Sequence, residues 1–585
     1  MAVRVPRIIL ELALPVLLAQ WVSGMISKSE PPLGEGTAMA GLGGWFRWKY
    51  FPAMCLAVWC VTGVLLRSGP SDTVLTSPDA QADFMVPVSG AWALASGMRI
   101  HTDFSTPLGP AYYLPYYWAL EILGDKASVV RHVESGIFVA VSVISFLLLR
   151  PPRYSWGVTA LGVCFLSLLG ASPGMLGRPP TEIYEGIAYN YLGIVTGYLC
   201  LLTALFPPKG LSAEIKRREM GDALLLAAIL VWITFVKVNF LVQNAAFLAV
   251  VLVVNRFNKS GPGVRFWGVL AGGFVLLALV FVLVFRVDLG GMWRDVQMAA
   301  SCRSHYVFTK IALSDAFGQG AYLGLASLYM GAGRTLAAHQ AELLLLAGAL
   351  LGGMAVVTVS GGTSLRRLTA YCVLVLLVLV GDIFQGFFNT YNYALPMLPF
   401  MWFLVICVLE RGGCICDGAP GEKTALLARN WVGGLAAVMA AWHILFLAAG
   451  HVSAFVFNSG LSDRFGKNLA GVEIHRDEFL RTEGWERLYY AATRGMRNTN
   501  SFVAKVNDGM ALLQNTGLEQ QRIFVMDQIN PFPFLLRAPY PAGQPAWLHI
   551  MATFSKEKHL PVETVLKGAD VIMVPKKPLN PPLPV

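Results

Sequence analysis

The chain has 585 residues, of which 55% are hydrophobic and 14% charged, with a mean hydropathy of +0.57. A soluble domain carries roughly 25% charged residues, so an ordinary cytosolic enzyme is excluded. The formal charge of +10 does not point to nucleic acid, because Lys and Arg fall mainly in short segments between apolar runs, where they read as topology signals.

Residues 8–26 are apolar but interrupted by Glu11 and Pro15 and preceded by Arg4 and Arg7, a pattern that suits a signal-like or interfacial helix. A Gly-rich linker, PPLGEGTAMAGLGG, follows at 31–44. About eleven stretches of about 17 to 22 apolar residues come next, long enough to cross a hydrocarbon core of about 30 Å as helices. They lie near 50–66, 133–149, 156–176, 187–206, 222–238, 240–255, 266–286, 338–359, 369–386, 392–409 and 431–450. With Arg47 to Lys49 inside, every basic short loop falls on one side: Arg150 and Arg153, Lys209 to Arg218, Arg256 to Arg265, Arg366 and Arg367, and Arg411 to Arg429. That asymmetry marks the cytoplasmic face. The segments 67–132 and 287–337 and the tail then fall outside.

The expected architecture is therefore mainly α: a multi-pass helical protein of a bacterial-type inner membrane. It divides into an N-terminal segment (1–48), a transmembrane domain (49–450) and an extracytoplasmic α/β domain (451–585). In the tail, RIFVMD (522–527) and ADVIMVP (569–575) read as buried strands, with Asp527, Gln528 and Asn530 at the end of the first. Six of the nine Cys, including Cys55, Cys200 and Cys407, sit in apolar runs with no disulfide ladder. Cys414 and Cys416 have no nearby His or further Cys to complete a metal site.

The outer loop 77–115 carries the most chemistry. Phe84 to Met98 has apolar residues at helical spacing and suits a helix lying flat on the membrane surface. Asp83 precedes it and Asp103 follows, beside Arg99 and His101. Two carboxylates at a membrane surface fit acid/base work on a polar substrate or binding of a divalent cation; the plainer alternative is a helix cap and a solvated loop. Lys237, in FVKVNF between two spans, is an ionisable group at membrane depth, which faces a cavity or snorkels to the interface. Glu182 and Tyr191, within RPPTEIYEGIAYNY (178–191), combine aromatic and polar groups in a way that suits a sugar or an aromatic belt. Asp382, in GDIFQGFFNTYNYALP, stands at the outer end of a further span. No cofactor is required by any spacing, and no second copy of a loop motif betrays a transporter-type repeat.

The order DFMVPVSGAWALASG then HTDFSTPLGP resembles the first outer loop of the GT-C superfamily of membrane glycosyltransferases, which includes protein mannosyltransferases and aminoarabinose transferases. The resemblance covers roughly 40 residues, and beyond them extends as architecture alone. It implies that Asp83 is the catalytic base or acceptor-orienting group. The family's following Asp-aromatic and Pro-Pro-Leu stretch falls on Asp103, Phe104, Pro107 and Leu108, with Asp-Phe here where many members have Asp-Glu. The implied reaction is inverting transfer of a sugar from a polyprenyl-phosphate donor to an unidentified acceptor, with Lys237 near the departing phosphate. A lipid or glycan transporter, or an envelope polysaccharide assembly component, stands as the alternative.

Overall fold

In a computed structural model the described residues are 42–76, 80–174, 180–186, 188–208, 213–258, 261–316, 398–411, 422–461, 472–474, 479–493, 500–549, 553–555 and 558–575. The expected spans at 338–359 and 369–386, the segment 8–26 and Asp382 lie outside them. The chain is mainly helical. Its helices run α1 Leu42–Ser68, α2 Ala80–Ala95, α3 Pro110–Leu123, α4 Val129–Leu149, α5 Trp156–Gly170, α6 Ala188–Leu205 and α7 Ala213–Val236. After these come α8 Asn239–Asn258, α9 Val264–Phe285, α10 Leu289–Ala316, α11 Leu398–Arg411, α12 Glu422–Asn458 and, in the tail, α13 Asn500–Asn515.

Among the described residues seven helices are long and apolar enough to cross a membrane: α1, α4, α6, α7, α8, α9 and α12. The near-fused stretch 222–255 is two helices, broken at Lys237 and Val238. The segment 287–337, expected as a loop, begins with the 28-residue α10. Burial ranks the helices by position. The apolar window of α6 is 83% buried, whereas those of α9, α1 and α12 are 11%, 17% and 22% buried. Their outward faces carry Val275 and Leu283 on α9, Val58 on α1 and Leu445 on α12, each more than 60% exposed. Continuous apolar surface of that size is unfavourable against water, so these faces suit lipid.

At one end of the bundle the chain folds back on itself. Here the structure corrects the surface helix: α2 begins at Ala80, takes Asp83 into its first turn, and buries Phe84, Met85, Val86, Val88, Ser89 and Ala91. A helix apolar on all faces is enclosed rather than amphipathic. One flank packs on α3 so closely that a Cβ on Gly90 would overlap the Tyr113 ring. The other flank meets the tail, where the Trp92 indole N–H donates to Ala538 O at 2.9 Å.

The tail carries two small sheets. β4 (Ile523–Val525) and β5 (Val571–Met573) fall on the two apolar runs and pair in parallel, but only β4 is buried as expected, Ile572 of β5 being 49% exposed. The Arg522 guanidinium holds the Asp570 carboxyl down at about 2. The second sheet has the order β1-β3-β2, with β1 Thr73–Leu75, β2 Val472–Ile474 and β3 Leu488–Thr493. Its parallel edge strand β1 comes from the segment after α1, so the tail shares a sheet with the first loop. Backbone bonds continue the seam: Gly543 N–H donates to Asp103 O at 2.6 Å, Ala546 N–H to Ser105 O at 3.0 Å and Ala127 N–H to Gly484 O at 3.0 Å.

Asp125 closes this seam. Its Oδ1 accepts the Trp485 indole N–H at 2.9 Å, while Oδ2 is buried without a hydrogen-bond partner. Burial lifts its carboxyl from 3.8 to about 6, against the pull of the Trp485 hydrogen bond and Arg537. Because the folded value is raised, its neutral form favours docking; that contribution is full below about 4, is lost as pH rises to about 6, and stays lost above. Asp125→Asn keeps the oxygen that Trp485 uses and removes the charge. The variant is expected to gain on the order of 2 kcal/mol over the parent at pH 7.5, with the difference vanishing near pH 4. Thermal unfolding and limited proteolysis of the tail, run on both proteins across that range, measure it.

Candidate active site

The site grows from a buried ionic cluster. Arg67, in the last turn of α1, pairs with Glu134 of α4, both side chains at most 2% exposed. Arg67 Nη1 also donates to Ala171 O at 2.7 Å, and Glu134 Oε1 accepts the Gly186 N–H at 3.0 Å. One turn before Glu134, Arg131 donates to Thr73 Oγ1 at 3.0 Å, Arg67 O at 3.1 Å and Pro70 O at 3.0 Å. Glu185 is buried beside both arginines; burial pushes its carboxyl upward against the opposing pull of Arg67 and Arg131. Every charge here has an opposite one, as low-dielectric surroundings require.

This cluster fixes the 180–186 segment, and that segment fixes Asp83. Thr76 Oγ1 donates to Thr181 O at 2.7 Å and accepts the Ile183 N–H at 2.6 Å, while Tyr184 N–H donates to Pro173 O. Gly186 sits at φ +97°, where a Cβ would lie 2.8 Å from Asp83 O, so the approach needs glycine for both conformation and space. The Tyr184 hydroxyl is thereby delivered to Asp83 Oδ2 at 2.7 Å. Asp83 is only partly buried, unlike the residues that follow it in α2.

A wall of tyrosines stands beside this contact. Tyr112 donates to Gly186 O at 3.1 Å, and its ring meets those of Tyr113, Tyr116 and Tyr189 edge-on at 4.9, 5.6 and 5.0 Å between centroids. On the far side of Tyr189 lies Lys237, its Nζ 5.2 Å from that ring, 5.7 Å from the Phe240 ring and 3.3 Å from Asn190 Oδ1. The break between α7 and α8 places the ammonium there. Gly109 N–H donates to Val236 O at 2.9 Å, which brings the start of α3 against this break. Carboxylate, phenols, aromatic faces and ammonium thus share one end of the bundle, a set suited to holding a polar ring and countering an anion.

The other expected site residues separate from this group. Asp103 belongs to its own turn, accepting from Arg99 N, Nε and Nη2 at 2.9, 3.1 and 3.3 Å; the Arg99 hydrogen bond holds its carboxyl below the usual range. Asp83 lies in the first turn of the enclosed helix and Asp103 beyond its other end, and the twelve helical residues from Asp83 to Ala95 already span about 18 Å. The expected pairing of these carboxylates, as acid/base partners or as ligands of one divalent cation, is therefore corrected. Among the described residues no group of three or more His, Cys, Asp or Glu is placed to hold a metal ion. His101 is buried at φ +65°, with Nδ1 2.8 Å from Asp295 Oδ2; that oxygen also accepts the Thr106 N–H, so the two residues tie α10 to the loop. Tyr191 spends its hydroxyl on Gly174 O at 2.8 Å, and Glu182 is half-buried in the segment stapled to Thr76.

Tyr184, Tyr112, Tyr189 and Glu134 enter the site without having been singled out from the sequence. Glu134 and Arg131 had a legible signal, being ionisable groups at the head of an apolar run. Tyr184 and Tyr189 lay within the aromatic segment 178–191, whereas Tyr112 had no signal beyond the abundance of tyrosine around it. Glu134→Gln leaves the Gly186 N–H an acceptor but strands the Arg67 charge, and is expected to cost about 3–5 kcal/mol. Arg67→Met with Glu134→Leu is expected to recover most of that loss. Unfolding of the three detergent-solubilised proteins checks it, and equal stability of the single and double variants would contradict the pairing.

Comparison with protein-family models, with curated proteins and with solved structures finds no match to this chain.

Proposed function

We propose that the chain is a membrane glycosyltransferase that moves a sugar from a polyprenyl-phosphate donor to an envelope acceptor. The carrying observation is the Asp83 carboxylate, held at 2.7 Å by Tyr184 and only partly buried, at the same end as the Lys237 ammonium and with the Tyr112–Tyr189 wall between them. A base must be reachable and oriented, and the Tyr184 hydroxyl orients the half-buried Asp83 carboxylate. Asp83 takes the proton of the acceptor hydroxyl as its oxygen bonds to the anomeric carbon. The bond from that carbon to the donor phosphate oxygen breaks, its electron pair leaves with the polyprenyl phosphate, and the configuration inverts. Lys237 counters the charge that develops on the phosphate. Aromatic faces suit the C–H surface of the sugar ring, and the lipid-exposed flanks of the bundle suit the polyprenyl chain.

In this reading the protein is a multi-pass protein of a bacterial-type inner membrane with about eleven spans, its tail an α/β domain on the outer face. The basic segments at 150–153 and 213–218 lie at the other end of α4 and α7 from Asp83 and Lys237, which supports that orientation. A reporter enzyme active only outside the cytoplasm, fused after residue 585, is expected to be active; activity only of a cytoplasmic reporter would reverse the topology.

The function is tested with purified protein and radiolabelled polyprenyl-phosphate sugars. Asp83→Asn is expected to lower kcat by about 10²–10⁴-fold with little change in KM. Lys237→Met is expected to lower kcat/KM for the donor by about 10²–10³-fold. Unchanged transfer by Asp83→Asn removes that residue from the mechanism. Absence of transfer from every donor favours a lipid or glycan transporter or an assembly component.

A further inference from the structure

At the opposite end of the bundle, three guanidinium groups surround one carboxylate. Arg150 and Arg153 belong to the turn between α4 and α5, and Arg218 and Asp222 to the first half of α7. Arg153 is enclosed, with its side chain at 0% exposure; it donates to Phe206 O at 2.8 Å and to Leu148 O. Arg218 donates to Arg150 O at 2.7 Å and to Pro151 O. These bonds shape the turn but do not use up the donors. Arg153 Nη2 lies 3.0 Å from Asp222 Oδ2 and Arg218 Nε 3.9 Å from the same oxygen, neither aligned as a hydrogen bond. Arg150 Nε is buried with no acceptor either.

Among the described residues three cations therefore share one anion, leaving a surplus of two positive charges and three N–H groups without an aligned acceptor. Buried guanidinium donors left so are costly, and an oxyanion would both offset the surplus charge and accept from such donors. We propose that this end of the bundle binds a phosphate group between the α4–α5 turn and α7, with Arg153 as its floor and Arg150 and Arg218 as its sides. Arg218 keeps 15% of its side chain exposed and Arg150 is half-buried, which leaves the flank open. Next to that flank the exposed apolar residues Met220 and Leu224 project from α7, and Trp156, 48% exposed, stacks on Phe146 at 6.0 Å. A half-exposed Trp beside arginines is the usual furniture of the headgroup layer. The phosphate is thus that of an anionic lipid headgroup or a soluble phosphate. This site is independent of the transfer reaction and lies far from Asp83.

The test uses the full-length chain in neutral detergent, with binding followed by native mass spectrometry and by the unfolding temperature. The probes are phosphatidylglycerol, phosphatidylcholine and inorganic phosphate. Saturable stabilisation by phosphatidylglycerol but not phosphatidylcholine is expected, weakened about tenfold by Arg150→Gln and unchanged by substitution of the exposed Arg217→Gln. Asp222→Asn, which enlarges the surplus, is expected to bind the probe more tightly or, where it unfolds in neutral detergent, to be recovered by it. Protection by inorganic phosphate alone assigns the site to a soluble ligand, and protection by phosphatidylglycerol alone assigns it to lipid. The proposal is overturned by an Arg150→Gln protein that binds like the parent, by equal loss in Arg217→Gln, or by no protection from either anion.

Discussion

The arrangement of the tyrosine-lined end depends on the pairing of Arg67 with Glu134. An ion removed from water costs several kcal/mol even after relaxation, so a buried charge inside an apolar bundle stays only where its partner is fixed. Arg67 and Glu134 fix each other across α1 and α4, and each has a second bond that reaches outward, to Ala171 O and to the Gly186 N–H. The ion pair thereby becomes an anchor for the 180–186 segment. Arg131 extends the anchor to the start of β1 through Thr73, and Asn458, at the end of α12, accepts the Val74 N–H at 2.7 Å. Helices distant in sequence are held in register at the same level by hydrogen bonds that have no competing water.

The consequence for Asp83 follows directly. A carboxylate in the first turn of a helix has local favourable partners of its own, since the helix dipole already favours negative charge there. What distinguishes Asp83 is the Tyr184 hydroxyl brought from a segment a hundred residues away. Rigid placement of that kind is what a reacting group needs, because misplacement by about 1 Å forfeits much of the benefit of orientation. The tail adds a second constraint. By supplying β3 beside β1, and by bonding to the carbonyls of Asp103 and Ser105, it covers the enclosed helix that carries Asp83. The raised carboxyl of Asp125 makes that covering sensitive to pH at one identified contact.

The apolar runs, the positions of most helix ends and the two short tail strands were legible in the sequence, though not the parallel pairing of those strands. Their causes are local: a span must satisfy its own backbone within about 20 residues, and a short β-branched run bounded by turns has few alternatives. Asp83 and Lys237 stood out in the sequence for a related reason, since ionisable groups at a membrane boundary are expensive to keep. The enclosed state of Phe84 to Ala91 was not. Its period fits a surface helix equally well, and only the closeness of α3 at Gly90 and of the tail at Trp92 decides that all its faces are covered.

Composition and spacing by themselves determined that this chain is apolar enough for membrane-spanning helices and that its chemistry-bearing residues cluster at their ends. Tertiary structure alone decided which of those residues meet. Asp103 turned to Arg99 four residues away, because a turn offers that guanidinium at no cost in chain entropy. Asp83 took Tyr184, and the tyrosine wall assembled from α3 and the start of α6, because the Arg67–Glu134 pair draws those segments together. Partners separated by tens or hundreds of residues leave no periodic trace in the sequence, since their proximity is a property of packing and charge neutralisation rather than of local chain geometry.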